Sequence, residues 1–203
     1  NEGREARGCA GGSGRGGGCA GPSCPGATNL VKRLANAKME TVPVSGLTGQ
    51  VPGAGIGRGA FQETDTTGIT MPITKHNYLA MHAANLPRIF REAFHIASTG
   101  RPGPVLVDIP KDVFQEEAEF EYPDTVDLPG YKPNLEGHPS QIRRAVKLIE
   151  ESQRPIILAG HGVIFSEAYD ELKELAEKAQ IPVITTLLGI SSFPDDHVLC
   201  VGM

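Results

Sequence analysis

A lysine and an acid, Lys111-Asp112, follow directly on the run Val105-Leu106-Val107-Asp108-Ile109-Pro110. Packing explains such a pair poorly, whereas a charged ligand explains it well; the alternative is a surface lysine laying its stem on apolar neighbours. Upstream, Gln62 follows the aromatic Phe61 beside a Gly-rich stretch. An amide there can cap a turn, face water or reach a ligand. Downstream, Gly160-His161-Gly162 separates an apolar run from a helical pattern. Glycines in that setting let backbone approach a diphosphate, although a tight turn needs the same residues. Phe165 stands where a third glycine would be, and Thr185-Thr186-Leu187 offers no acid for the ribose of an NAD site. The six histidines lack the H-E-x-x-H spacing and the four cysteines form no C-x-x-C pair, so no metal-ligating set is assigned.

These residues need a frame. A short apolar run bracketed by Pro-containing turns reads as a buried strand of a parallel sheet, ended by Pro110 for want of an N–H. Lys111 then lies just past the carboxyl end, where open α/β sheets hold ligands. Leu86, Ile89, Phe90, Ala93, Phe94 and Ala97 recur at helical spacing, with Asn85 as cap, Pro87 in the first turn and Gly100 as stop. Leu30, Val31 and Leu34 open a helix running to about Glu40; residues 43–49 read as a strand, and residues 61–65 as a turn of helix. Beyond Pro139, Ile142, Ala145, Val146 and Ile149 line a helix face. Residues 155–159 read as a strand, Ser166 as the cap of a helix bearing Leu172, Leu175 and Ala176, and residues 182–186 as a second strand. A strand, helix and strand so spaced make a right-handed parallel crossover, and the fold class is α/β.

The 203 residues are 39% hydrophobic, enough for a core in one large or two small domains. A net charge of −5 lacks the basic stripe that nucleic acid requires, and no run is long and apolar enough to span a membrane. The N-terminus has no apolar signal core, and the cytoplasm is the expected compartment. From Asn1 to Asn29 there is no Val, Ile, Leu, Met, Phe, Tyr or Trp, while glycines crowd this stretch with Cys9, Cys19 and Cys24. Residues 1–24 are therefore expected to be disordered, or the product of a shifted reading frame in GC-rich DNA. Acids at 116, 117, 119 and 121, followed by Pro and Gly, mark residues 115–138 as a linker. Residues 25–114 and 139–203 are the two folded parts.

Four motifs then point further. Gly59-Ala60-Phe61-Gln62-Glu63-Thr64-Asp65, Thr74-Lys75-His76-Asn77, Gly100-Arg101-Pro102-Gly103-Pro104 and Asp108-Ile109-Pro110-Lys111-Asp112 occur in that order. Together they resemble the large catalytic subunits of acetolactate synthases, thiamine-diphosphate enzymes of branched-chain amino-acid synthesis. The resemblance runs from about Pro25 to Met203. It implies the latter part of a pyrimidine-binding domain in residues 25–114, then the start of a Rossmann-like central FAD domain in residues 139–203. The chain would be an internal fragment without turnover of its own.

By the same resemblance, Pro25, Gly26 and Asn29 lie against the aminopyrimidine ring, Gln62 faces the thiazolium side, and Lys111 attracts a 2-ketoacid carboxylate. Phe61, Arg101, Gly160, Gly162, Thr186, Leu187 and Leu188 border FAD. The site for Mg²⁺ and the cofactor's diphosphate belongs to a region past Met203, and Glu2 is a weak candidate for the cofactor-activating glutamate. His76 reads as a hydrogen-bonded structural histidine. The implied reaction decarboxylates pyruvate and joins the two-carbon unit to pyruvate or 2-oxobutyrate. Implied partners are further copies in a homodimer or tetramer and a regulatory small subunit, with no nucleic acid and no membrane. Two departures stand out: Cys24 replaces the usual first glycine of the Pro25 turn, where a positive φ would strain it, and Gly59 replaces an aspartate, removing a cap. Sister enzymes of the pyruvate oxidase or glyoxylate carboligase type, and a non-catalytic nucleotide-binding α/β module, are the alternatives.

Overall fold

Six consecutive buried residues, Val105 to Pro110, form the strand around which the first half of the molecule is organised. The structure, a computed structural model, describes residues 2–13 and 15–203; the side chains of residues 2–4, 7, 11 and 12, Glu2 among them, lie outside the described residues. Two compact units divide at residues 135/136.

In the first unit, α1 (Glu2–Ser13), β1 (Gly17–Gly21), α2 (Gly26–Glu40) and β2 (Val44–Gln50) come first. Then follow α3 (Thr66–Thr70), β3 (His76–Leu79), α4 (Leu86–Ser98) and β4 (Val105–Pro110). The sheet order is β1-β2-β4-β3, and every pairing is parallel. One cluster joins Leu30, Leu34 and Ala37 of α2 to Val44 and Leu106; on the other face Ile89, Ala93 and Ile96 of α4 pack on Val105, Val107 and Ile109. Helices on both faces explain why β4 is apolar on both sides down to Asp108.

Disorder was the expectation for residues 1–24, whereas their described residues form α1 and β1. Ala6 and Ala10 are buried in the same cluster as Cys19, and β1 pairs with β2 over all five of its residues. Small residues do here what large apolar ones do elsewhere, by close approach. A Cβ on Gly17 would lie 2.3 Å from the Ala6 carbonyl oxygen, so only glycine lets α1 sit on β1.

Three local expectations also change. Asn85 adopts αR backbone and makes no side-chain capping bond; a 3-10 turn, Ala83–Asn85, feeds α4 instead. Residues 61–65 are not helical: the helix starts at Thr66, where the Asp65 carboxylate accepts the Gly68 N–H at 2.8 Å. Pro110 does not end the ladder, since the Lys111 N–H donates to the Gln50 carbonyl at 3.0 Å. Parallel pairing alternates sides along a strand, so proline's missing donor falls on the β3 side, where pairing stops at Leu79 opposite Asp108.

The second unit holds α5 (Pro139–Glu151), β5 (Ile157–Ala159), α6 (His161–Phe165), α7 (Tyr169–Ala179), β6 (Val183–Thr185) and β7 (Cys200–Gly202). Its sheet is parallel in the order β5-β6-β7, around a core of Ala159, Ala176, Val183 and Phe193. Ser166 does not cap α7: its Oγ donates back to the Gly162 carbonyl and closes α6, while Ala168 occupies the cap position.

Candidate functional site

Three segments leave the carboxyl edge of the first sheet. The turn of residues 22–26 follows β1, the loop of residues 51–65 follows β2, and Lys111-Asp112 follows β4. Parallel strands put all three carboxyl ends on one side, so the topology brings Pro25, Gly26, Gln62 and Lys111 to the same edge. At the β1 end, the Gly26 N–H donates to the Ser23 carbonyl at 2.9 Å, and Pro25 and Asn29 are exposed. Cys24 is absent from the residues with positive φ, so its Cβ meets no strain of that kind. Gly49 of β2 abuts this turn: a Cβ there would lie 3.0 Å from the Ser23 nitrogen.

Within the loop, Phe61 is 90% exposed and Gln62 has φ +66°, a left-handed conformation unfavourable for a side chain of its size. Glu63 supplies the cap that Gly59 cannot. Its carboxylate accepts the Ala60 N–H at 2.9 Å and the Gly57 N–H, folding the backbone around an anion. These amides, Gly57 first, hold the Glu63 carboxyl below the ordinary glutamate range. A carboxyl with a lowered folded pKa contributes order that is complete above its unfolded pKa and disappears as pH falls through the folded value. Amide shifts of Gly57 and Ala60 are thus expected to stay constant at neutral pH and to move only on acidification below about pH 4.3. Glu63→Gln should abolish that transition.

Behind the loop lies a polar network inside the sheet. Asp108 is 1% exposed; its carboxylate accepts the Thr48 hydroxyl at 2.6 Å and the Gln50 amide at 3.0 Å. Burial raises its pKa against the lowering effect of those two donors, and the charge of Asp65 raises it further. Gln50 also donates to the Thr64 carbonyl at 2.7 Å, joining β4 to the far end of the loop. Sequence reading missed Gln50 and the inward role of Asp108. An acid inside an apolar run is the signal that a buried partner must exist.

Lys111 is exposed and makes no ion pair among the described residues, whereas both oxygens of Asp112 accept the Gly53 N–H at 3.1 Å. Arg101 lies elsewhere, before the amino end of β4. There it borders a cavity of about 470 Å³ with Lys38, Lys75, Pro102 and Tyr131. The Lys75 ammonium donates to the Thr99 carbonyl at 2.7 Å, to the Ile96 carbonyl and to the Tyr131 hydroxyl, closing the end of α4. Lys38 donates to the Thr74 carbonyl. Among the described residues, Arg101 hydrogen-bonds the Thr41 hydroxyl, at 3.4 Å, through Nε and one terminal nitrogen. His76 is exposed, with its ring edge-on to Tyr78.

In the second unit the remaining assigned residues converge. The Thr186 N–H donates to the Ala159 carbonyl at 2.9 Å, a Cβ on Gly160 would lie 3.7 Å from Thr186 Oγ1, and Gly189 packs on Ala159 and Gly160. Beyond its own helix backbone and chain neighbours, no described atom lies within 4 Å of where a Gly162 Cβ would be. Leu187 and Leu188 are exposed beside this turn, and the buried Nδ1 of His161 has no hydrogen-bond partner among the described residues.

Comparison with known proteins adds a family to this geometry. Residues 4–71 match the N-terminal TPP-binding domain of thiamine pyrophosphate enzymes, and residues 142–203 match the central domain of the same enzymes. The chain belongs to the thiamine pyrophosphate enzyme family. It is 54% identical over 191 residues to acetolactate synthase of Mycobacterium leprae, an alignment covering 94% of this chain and 31% of that protein. It is 56% identical over 194 residues to a probable acetolactate synthase large subunit of Methanocaldococcus jannaschii, covering 94% and 33%. With the large subunit of Corynebacterium glutamicum the identity is 50% over 191 residues, covering 94% and 30%. The chain thus spans about a third of the length of these relatives. As a member of the thiamine pyrophosphate enzymes it carries the Rossmann-like parallel fold in both units. Among the described residues no cluster of three or more His, Cys, Asp or Glu is placed to hold a metal ion, and no helix is long and apolar enough to cross a membrane.

Proposed function

We propose that this chain is part of an acetolactate synthase catalytic subunit, which decarboxylates pyruvate and condenses the two-carbon unit with pyruvate or 2-oxobutyrate in branched-chain amino-acid biosynthesis. The observation that carries the reading is the shared carboxyl edge of β1, β2 and β4, in a chain more than half identical to two acetolactate synthases. Thiamine diphosphate, when bound, supplies the centre that attacks the keto carbon and stabilises the resulting carbanion.

This chain's residues bind and orient. Pro25 and Asn29 are exposed on their turn, with Gly26 half-buried beside them, and these three are assigned to the cofactor's pyrimidine ring. Gln62 presents an amide to the reacting end, and Lys111 holds an unpaired ammonium for the substrate carboxylate. FAD fits the second unit: Gly160 and Gly162 give close approach to a diphosphate, Thr186 a hydroxyl, Leu187 and Leu188 apolar surface, and the orphaned Nδ1 of His161 a hydrogen-bonding atom. Mg²⁺ is assigned to residues outside the 203. The working form is a homodimer or tetramer in the cytoplasm, with a regulatory small subunit.

The test compares the full-length subunit with the 203-residue chain, each supplied with thiamine diphosphate, Mg²⁺, FAD and pyruvate. Acetolactate is expected from the first and none from the second. A full-length subunit that makes no acetolactate overturns the function, and product from the shorter chain overturns the assignment as an inactive part.

A further inference from the structure

We propose that Asp112 is a positioning residue: by holding the start of the residue 51–65 loop on β4, it fixes the conformation of Gln62 and leaves Lys111 unpaired. The proposal rests on the site roles given above to Gln62 and Lys111.

Both ends of this loop are tied to a single strand. At the start, both oxygens of Asp112 accept the Gly53 N–H, across 59 residues of sequence. The approach is close: a Cβ on Gly53 would stand 3.3 Å from Asp112 Oδ2 and 3.1 Å from the Met81 methyl. At the other end, Gln50 bonds the Thr64 carbonyl while Asp108 bonds Gln50. Gln50 Oε1 also accepts the Val51 N–H at 2.9 Å, so this side chain is locked at both of its polar atoms.

Between the two ties sits Gln62 in its left-handed conformation. Such backbone persists only where the surroundings over-determine it. Glu63 folds the tip of the loop through the Gly57 and Ala60 amides, both inside the loop, so these bonds do not set where the tip stands. The ties to β4 set that, and of the two only Asp112 is exposed and replaceable without opening the core.

The second consequence concerns charge. Lys111 and Asp112 are neighbours of opposite sign, yet the carboxylate is committed to the Gly53 amide and Lys111 has no ion pair among the described residues. A carboxylate released from the loop would be free to compete with an incoming anion for the lysine.

The experiment uses the full-length subunit with Asp112→Ala and Asp112→Asn. In the alanine variant, amides of residues 53–62 should exchange with solvent roughly tenfold or more faster, as loss of a charge-assisted hydrogen bond implies, while those of β4 and α2 keep their rates. The asparagine variant keeps an acceptor oxygen and should recover part of the protection. Turnover should follow the same order, wild type over asparagine over alanine, with the affinity for thiamine diphosphate changing less than kcat. Wild-type exchange of residues 53–62 in the alanine variant overturns the proposal, as does an asparagine variant no better than alanine. If the wild-type subunit turns over no pyruvate, the functional reading fails, and the exchange measurement alone still decides what Asp112 holds.

Discussion

Gly189→Ala is expected to destabilise the second unit by on the order of 3 kcal/mol, the upper range for forcing extra volume into a packed site. Gly189 is buried, and a Cβ there would lie 2.4 Å from the Ala159 carbonyl oxygen, 3.1 Å from its carbon and 3.0 Å from Gly160 Cα. All three are backbone atoms, so no rotamer change relieves the contact. Ala159 is also the last residue of β5 and accepts the Thr186 N–H, so the added methyl must push the strand end away from the turn bonded to it. Gly162→Ala is the matching control, because open space surrounds that position. Its unfolding midpoint should stay near wild type. If flavin binds as proposed, its affinity should fall in both variants, in Gly162→Ala through blocked approach rather than lost folding. Denaturant unfolding and quenching of flavin fluorescence, measured on the same samples, separate the two effects.

Large apolar residues were legible, and small ones were not. The run at Val105 and the stripe from Leu86 to Ala97 indicated a buried strand and its covering helix, because bulky side chains at fixed spacing have few other homes. The crossover from β5 to β6 followed from two apolar runs and a helical stripe. α1 and β1 stayed hidden, since their packing depends on what Gly17 lacks, and a rule that counts side chains scores such a segment as empty.

The site divides along the same line. Placing Lys111 at a carboxyl edge needed only the strand and the rule for open sheets. The ties that organise the edge join residues 58 and 59 apart, Gln50 to Asp108 and Gly53 to Asp112, and no local pattern announces them. A left-handed Gln62 is equally silent, because glycine is the residue that normally signals positive φ. Arg101 and its place relative to Lys111 are equally absent from any local pattern. The two residues flank the same strand, but at opposite ends, so they serve different surfaces.

Lys111→Gln should raise the KM for a 2-ketoacid in the full-length subunit by roughly tenfold to a hundredfold, the factor that follows from losing a charge-assisted hydrogen bond. The size of the change decides between the two readings of this lysine. A surface ammonium that merely meets passing anions contributes about 1 kcal/mol at most, and its loss would move KM by no more than about fivefold. An ammonium in a cleft that excludes water contributes more, because the attraction grows as the effective dielectric constant falls. Ionic strength offers an independent check. The wild-type KM should rise only weakly with added salt if the pair forms inside a cleft, and steeply if it forms in open solvent. Lys111→Arg keeps the charge on a bulkier, planar group, and should retain most of the affinity while lowering kcat if the carboxylate must be held at one angle to Gln62. A glutamine variant with KM within fivefold of wild type would return Lys111 to the solvated surface and leave the carboxyl edge without its anchor.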